Sequence, residues 1–72
     1  MVIIIGHGPF AGYGGEIICD AQTELGALID ALALPDDLRE NLLVVKNSEF
    51  ITDKGIVSDG DTIHLFLTVL GG

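Results

Sequence analysis

Positive charge is scarce in this sequence: three Lys and Arg stand against eleven Asp and Glu, a formal net charge of −8. Binding nucleic acid or an anionic membrane needs Lys and Arg to displace counterions from phosphates, so this balance argues against both. There is one cysteine, Cys19, so no intrachain disulfide can form and nothing points to an oxidising compartment. No run approaches the roughly 18 apolar residues of a membrane span. The apolar start, residues 1–5, lacks a basic flank and breaks at Gly6, so it does not read as a signal peptide. These absences together predict a soluble, cytoplasmic protein.

What is present is apolar. Hydrophobic residues make up 49% of the 72 positions and charged ones 19%, which favours a packed globule over a disordered segment. A chain this short buries only roughly 60–65% of its extended surface, so the core is thin. One domain over residues 1–72 is expected. Its acidic surface keeps a small protein soluble, and it would also speed encounter with a partner that has a basic docking face.

The pattern along the chain alternates strand and turn signals. V-I-I-I at 2–5 is β-branched and reads as a central strand. Residues 6–15, G-H-G-P-F-A-G-Y-G-G, read as a loop. E-I-I-C-D-A at 16–21 reads as a second strand closing a hairpin. Thr23 is placed to cap a helix, with Glu24 in its first turn. Leu25, Leu28, Ile29 and Leu32 then form one apolar stripe. Pro35 stops that helix and can start a short helical turn over P-D-D-L-R-E. L-L-V-V-K at 42–46 and a weak E-F-I-T strand flank an Asn47-Ser48 turn. The last strand, T-I-H-L-F-L-T-V-L at 62–70, puts Ile63, Leu65, Leu67 and Val69 on one face and His64, Phe66, Thr68 and Leu70 on the other.

That order, β-β-α-β-β-β, predicts an α+β fold: a mixed sheet of four to five strands packed on one helix. It is the ubiquitin-like β-grasp arrangement, with the first and last strands parallel at the sheet centre.

The segment D-G-D-T-I-H-L-F-L-T-V-L-G-G, residues 59–72, resembles the end of the ThiS/MoaD family of sulfur carrier proteins. There a D-G-D turn opens the last strand and the chain ends in an uncovered Gly-Gly. The same stretch is similar in spacing to the end of ubiquitin, including the mid-strand His. The turn reads N-S-E where relatives often have N-G-E, and the 6–15 loop is richer in glycine. The tail lacks the paired prolines of molybdopterin-type carriers, while I-V-x-D-G-D-x-I-x-L-F is closer to the thiamine type.

The resemblance implies a protein cosubstrate, or a synthase small subunit, rather than an enzyme. A ubiquitin-activating-type enzyme would use ATP to adenylate the Gly72 carboxylate, and the carrier itself would hold no cofactor. A sulfur donor such as a cysteine desulfurase would then displace AMP to leave a thiocarboxylate. Sulfur would pass to a thiazole synthase in thiamine biosynthesis or to the molybdopterin synthase large subunit. A free carboxylate is a poor electrophile, which is why activation comes first. Gly71 and Gly72 lack a Cβ and so allow the close approach that a narrow channel demands. A tail of about residues 70–72 can visit two active sites in turn.

His64 and Phe66 face away from the expected core. Either they are docking anchors or the 6–15 loop covers them. Leu70 and Thr68 complete the expected docking row. A ubiquitin-like modifier, joined through Gly72 to target lysines, is the competing reading, and a plain binding module is a third. Metal chemistry finds no support: His7, His64 and Cys19 have no ligand spacing, and D-G-D lacks the rest of a calcium loop. G-H-G-P-F-A-G lacks the G-K-[ST] of a phosphate loop.

Overall fold

The β-branched run Val2–Gly6 (β1) and the segment Thr62–Leu67 form parallel neighbours at the middle of a five-stranded sheet. The computed structural model describes residues 1–17 and 22–68. Its remaining strands are Gly15–Ile17 (β2), Thr23–Glu24 (β3), Leu42–Lys46 (β4), Glu49–Ile51 (β5) and Ile56–Val57 (β6), so Thr62–Leu67 is β7. The sheet order is β2-β1-β7-β4-β5, with every pairing antiparallel except β1 with β7. Ile4 lies opposite Ile63, Ile5 opposite His64 and Gly6 opposite Leu65. With its helices, this mixed sheet makes the α+β, ubiquitin-like β-grasp expected from the element order.

The turn between β4 and β5 explains its own sequence. Asn47 and Ser48 both have positive φ, 49° and 74°. A two-residue hairpin of this hand requires that, because its twist matches the strands it joins. Asn adopts the conformation readily; Ser does so at a cost that glycine would avoid.

One face of the sheet is closed by helix α1, Leu25–Ala31. Leu25, Leu28 and Ile29 pack onto Val2, Ile4, Val44, Ile63 and Leu65, with Val57 and Phe10 completing the buried cluster. Leu32 is half-buried at the helix end, as its place in the stripe requires. The helix stops at Ala31, four residues before Pro35, and Ala33 turns the chain at φ 54°. The turn Asp36–Glu40 (α2) follows Pro35 as expected, with Asp36 and Asp37 at its start and Arg39 at its end, where the helix dipole favours each charge.

Several expectations need correcting. Thr23 does not cap α1; it lies in β3, paired with Val57, and Glu24 is the residue before the helix. The first free helix donors are satisfied from the neighbouring loop instead. Leu25 N–H donates to the Gly55 carbonyl at 2.8 Å and Gly26 N–H to that of Asp53 at 2.9 Å. Residues 6–15 are not simply a loop: Gly8–Tyr13 forms a 3-10 helix whose Phe10 is fully buried. Gly6 makes room for it, because a Cβ there would stand 1.8 Å from the Phe10 carbonyl oxygen. Leu67, expected in the core, is 43% exposed, for the last buried residue of β7 is Leu65. The strand is described to Leu67 and no further; Val69 and Leu70 lie outside the described residues, as does the 18–21 part of the second strand.

Candidate functional site

The site builds from β7, whose two ends and outer face are held differently. At its start, the D-G-D turn works through Asp61. Gly60 takes φ 94°, and Ser58 N–H donates to Asp61 Oδ2 at 2.8 Å. Asn47 Nδ2 donates to Asp61 Oδ1 at 2.9 Å, and Thr62 N–H donates to Asn47 Oδ1 at 3.2 Å. Lys46 Nζ is 3.9 Å from the same carboxylate. The Ser58 hydrogen bond above all, then that of Asn47 and the charge of Lys46, hold the Asp61 carboxyl below its ordinary value of 3.8, against the opposing effect of burial. The D-G-D motif therefore fastens the start of the last strand to the β4–β5 turn.

At the other end, both polar groups of Thr68 go to one acceptor. Its N–H donates to the Asn41 carbonyl at 2.7 Å and its hydroxyl to the same oxygen at 2.9 Å. Asn41, which follows α2, in turn donates its side-chain amide to the Asp37 carbonyl at 2.9 Å. Thr68 thus serves the fold at the base of the terminal segment, whatever it does for a partner. Leu70, Gly71 and Gly72 lie outside the described residues.

Both α1 and α2 pack on the core side of the sheet, leaving its outer face to the strands' own side chains and His7. Facing residues in adjacent strands share a face, so Ile5, His64, Val45 and Phe50 form one cross-strand row. Leu43 stands opposite Phe66 in the next row. Ile3, Ile5 and Phe50 are exposed, Phe50 at 76%, while His64 and Phe66 are half-buried. The glycine-rich segment covers them in part: it sends Phe10 into the core, but its His7 lies on the Phe66 ring and meets His64. Lys46 is turned away, donating to the Ile56 carbonyl at 2.8 Å, and Arg39 donates to Asp30 at 2.5 Å.

Two members of this face escaped the sequence reading. In the sequence Phe50 reads as part of a weak strand and not of a site; its register with Val45 places it here only once the pairing is known. His7 was weighed only as a metal ligand. Its signal was the alternation Ile3, Ile5, His7: the backbone is still extended at His7, φ −118° and ψ 145°, and its N–H reaches the Leu65 carbonyl at 3.0 Å. His7 and His64 meet, and His7 stacks on Phe66.

Among the described residues, no group of three or more His, Cys, Asp or Glu is placed to hold a metal ion, and no helix is long and apolar enough to cross a membrane. The arrangement offers a partly exposed apolar surface beside Thr68, the anchored last residue described in the chain. Residues 9–72 match the family model described as the ThiS family. No curated protein matches the chain.

Proposed function

The chain belongs to the ThiS family, whose members are small sulfur carriers, and from that premise we propose that its Gly72 carboxylate is adenylated and converted to a thiocarboxylate. An ATP-using enzyme of the ubiquitin-activating type forms the acyl-adenylate. A sulfur donor such as a cysteine desulfurase displaces AMP, and the carrier hands sulfur to a biosynthetic synthase. The carrier is the cosubstrate and carries no catalytic residue of its own. We place thiazole formation for thiamine ahead of dithiolene formation for molybdopterin, because I-V-S-D-G-D-T-I-H-L-F is closer to the thiamine type.

The observation that supports this reading is the fixed base of the terminal segment. Thr68 is held by two hydrogen bonds to Asn41 at the end of a central strand, and four residues then follow, closing in two glycines. A tail on a rigid base reaches a partner's channel while the domain docks beside it through Phe66, His64 and Leu70. Glycine keeps the last two positions free of side chains that a narrow channel would reject.

The test is to incubate the full chain with a matched adenylating enzyme, ATP and a sulfur source, then record its intact mass. A gain equal to exchange of one oxygen for one sulfur is expected. An adenylate that instead passes to a protein amine would move the protein to the modifiers. Deletion of Gly71 and Gly72 should abolish activation; a truncated chain activated normally would rule the mechanism out.

A further inference from the structure

Three rings form one plate on the outer face of the sheet. The His7 ring lies face to face on that of Phe66, centres 4.4 Å apart and planes 5° apart. His7 Nε2 is 2.9 Å from His64 Nδ1. The two imidazole centres are 5.2 Å apart with 22° between planes, so the bonded nitrogens lie close to the line joining the centres. Ring nitrogens that face one another along that line make an N–H···N hydrogen bond, one donating and one accepting, whereas a metal would need both lone pairs aimed at a third point. One proton sits between the two nitrogens. The bond therefore exists when the pair is neutral or carries one extra proton, and it is lost when both rings are protonated.

Among the described residues, nothing on this face replaces the bond. The strands flanking β7 bring Ile5, Val45 and Leu43. The 3-10 helix carries a single titratable side chain, Tyr13, and the register sets Glu16 of β2 opposite Ile3. Thr62 and Phe50 do not titrate. A second proton would place two like charges a hydrogen bond apart with no counter-charge between them, which breaks the bond between the two imidazoles and frees the His64 ring.

We propose that His7 is a positioning residue of the docking face: it holds the Phe66 ring by stacking and the His64 ring by the N–H···N bond, and docking to the adenylating partner weakens when both imidazoles carry protons. This rests on the carrier reading above, in which the outer face docks while Gly72 is activated.

The experiment measures ATP–pyrophosphate exchange by the adenylating enzyme as a function of carrier concentration, for the wild type, His7→Phe and His7→Ala. It runs from about pH 8 to about pH 5.5, the range over which imidazole changes charge. His7→Phe keeps a ring on Phe66 and loses only the bond, so at the upper pH its KM should rise roughly threefold; His7→Ala loses both contacts and should rise roughly tenfold. The kcat at saturating carrier should hold for both. Towards acid pH the wild type loses the same bond, so its KM should converge on that of His7→Phe, while part of the His7→Ala gap persists. A gap that stays constant with pH, or a fall in kcat without a change in KM, would overturn the proposal. Ring-nitrogen NMR of the free chain gives an answer that needs no partner. Coupled titration of the two imidazoles supports the pair, and independent titration sinks it. If the wild type supports no exchange at the upper pH, the carrier reading itself fails, and the docking half of this proposal with it.

Discussion

The two faces of β7 are built from alternate residues of one strand and are closed to different degrees. Ile63 and Leu65 are fully buried under α1, whereas His64 and Phe66 stay half-exposed on the face away from it. Both faces are apolar, so composition does not distinguish them; closure does. On the inner side each side chain is fixed by neighbours on several elements, and its removal leaves a hole. On the outer side the rings are fixed by one another and by the strands beneath, and their removal bares surface that water already touches. Stability therefore resides on one face, and the docking proposed above falls on the other, where residues can vary without unfolding a thin core.

Three substitutions test that division, taken from the strongest effect down. Leu65→Ala should cost about 2–5 kcal/mol of unfolding free energy, because it opens a cavity at the centre of the sheet; a denaturant titration reads it. For a domain of this size that is a large share of the total. A loss under about 1 kcal/mol would mean that the inner face is no more closed than the outer. Asp61→Asn, at the start of the strand, should cost about 1.5–3 kcal/mol at neutral pH, since the new amide presents a donor where Ser58 N–H already donates. The carboxyl's value is depressed in the folded chain, so its contribution is present above the unfolded value of 3.8 and is lost as pH falls through the lower folded value. Melting temperatures followed into acid should thus converge for the two proteins below that window. Persistence of the full difference there would assign the effect to packing. Phe66→Ala should lower stability least, by about 1 kcal/mol, while raising the KM for the adenylating enzyme at least about tenfold. A loss of about 3–5 kcal/mol would place Phe66 in the core and remove the distinction between the faces.

Much of this architecture is legible in the sequence, for identifiable reasons. V-I-I-I, L-L-V-V-K and T-I-H-L-F-L are strands because β-branched and alternating residues fit a half-covered sheet. The Leu25, Leu28, Ile29 stripe matches the helix period, and the Asn47-Ser48 turn follows from its length and Asn. Phe10 stayed hidden because five glycines around it read as a loop, yet one large aromatic suffices to draw a turn of 3-10 helix into the core. Thr23 misled because capping is a matter of which acceptor arrives first, and the carbonyls of Asp53 and Gly55 come from a distant part of the chain. Leu67 misled because alternation gives a side chain's face but not where the covering helix ends. His7 needed the parallel pairing of β1 with β7 to meet His64 at all. What sequence reasoning lacked in each case was a long-range contact.

The parallel pairing of β1 with β7 also governs how this protein comes to exist. Residues 2–6 find their central partner in residues 62–67, so this pairing closes nearly the longest loop the chain contains. Such non-local pairing slows folding, because the entropy of closure is spent before the contact is made. During synthesis the first strand emerges while its neighbour is still untranslated. The ring plate of His7, Phe66 and His64 straddles that same seam. An incomplete chain therefore lacks the face on which docking is proposed, and an enzyme that docked there would meet only chains whose last strand is already in place.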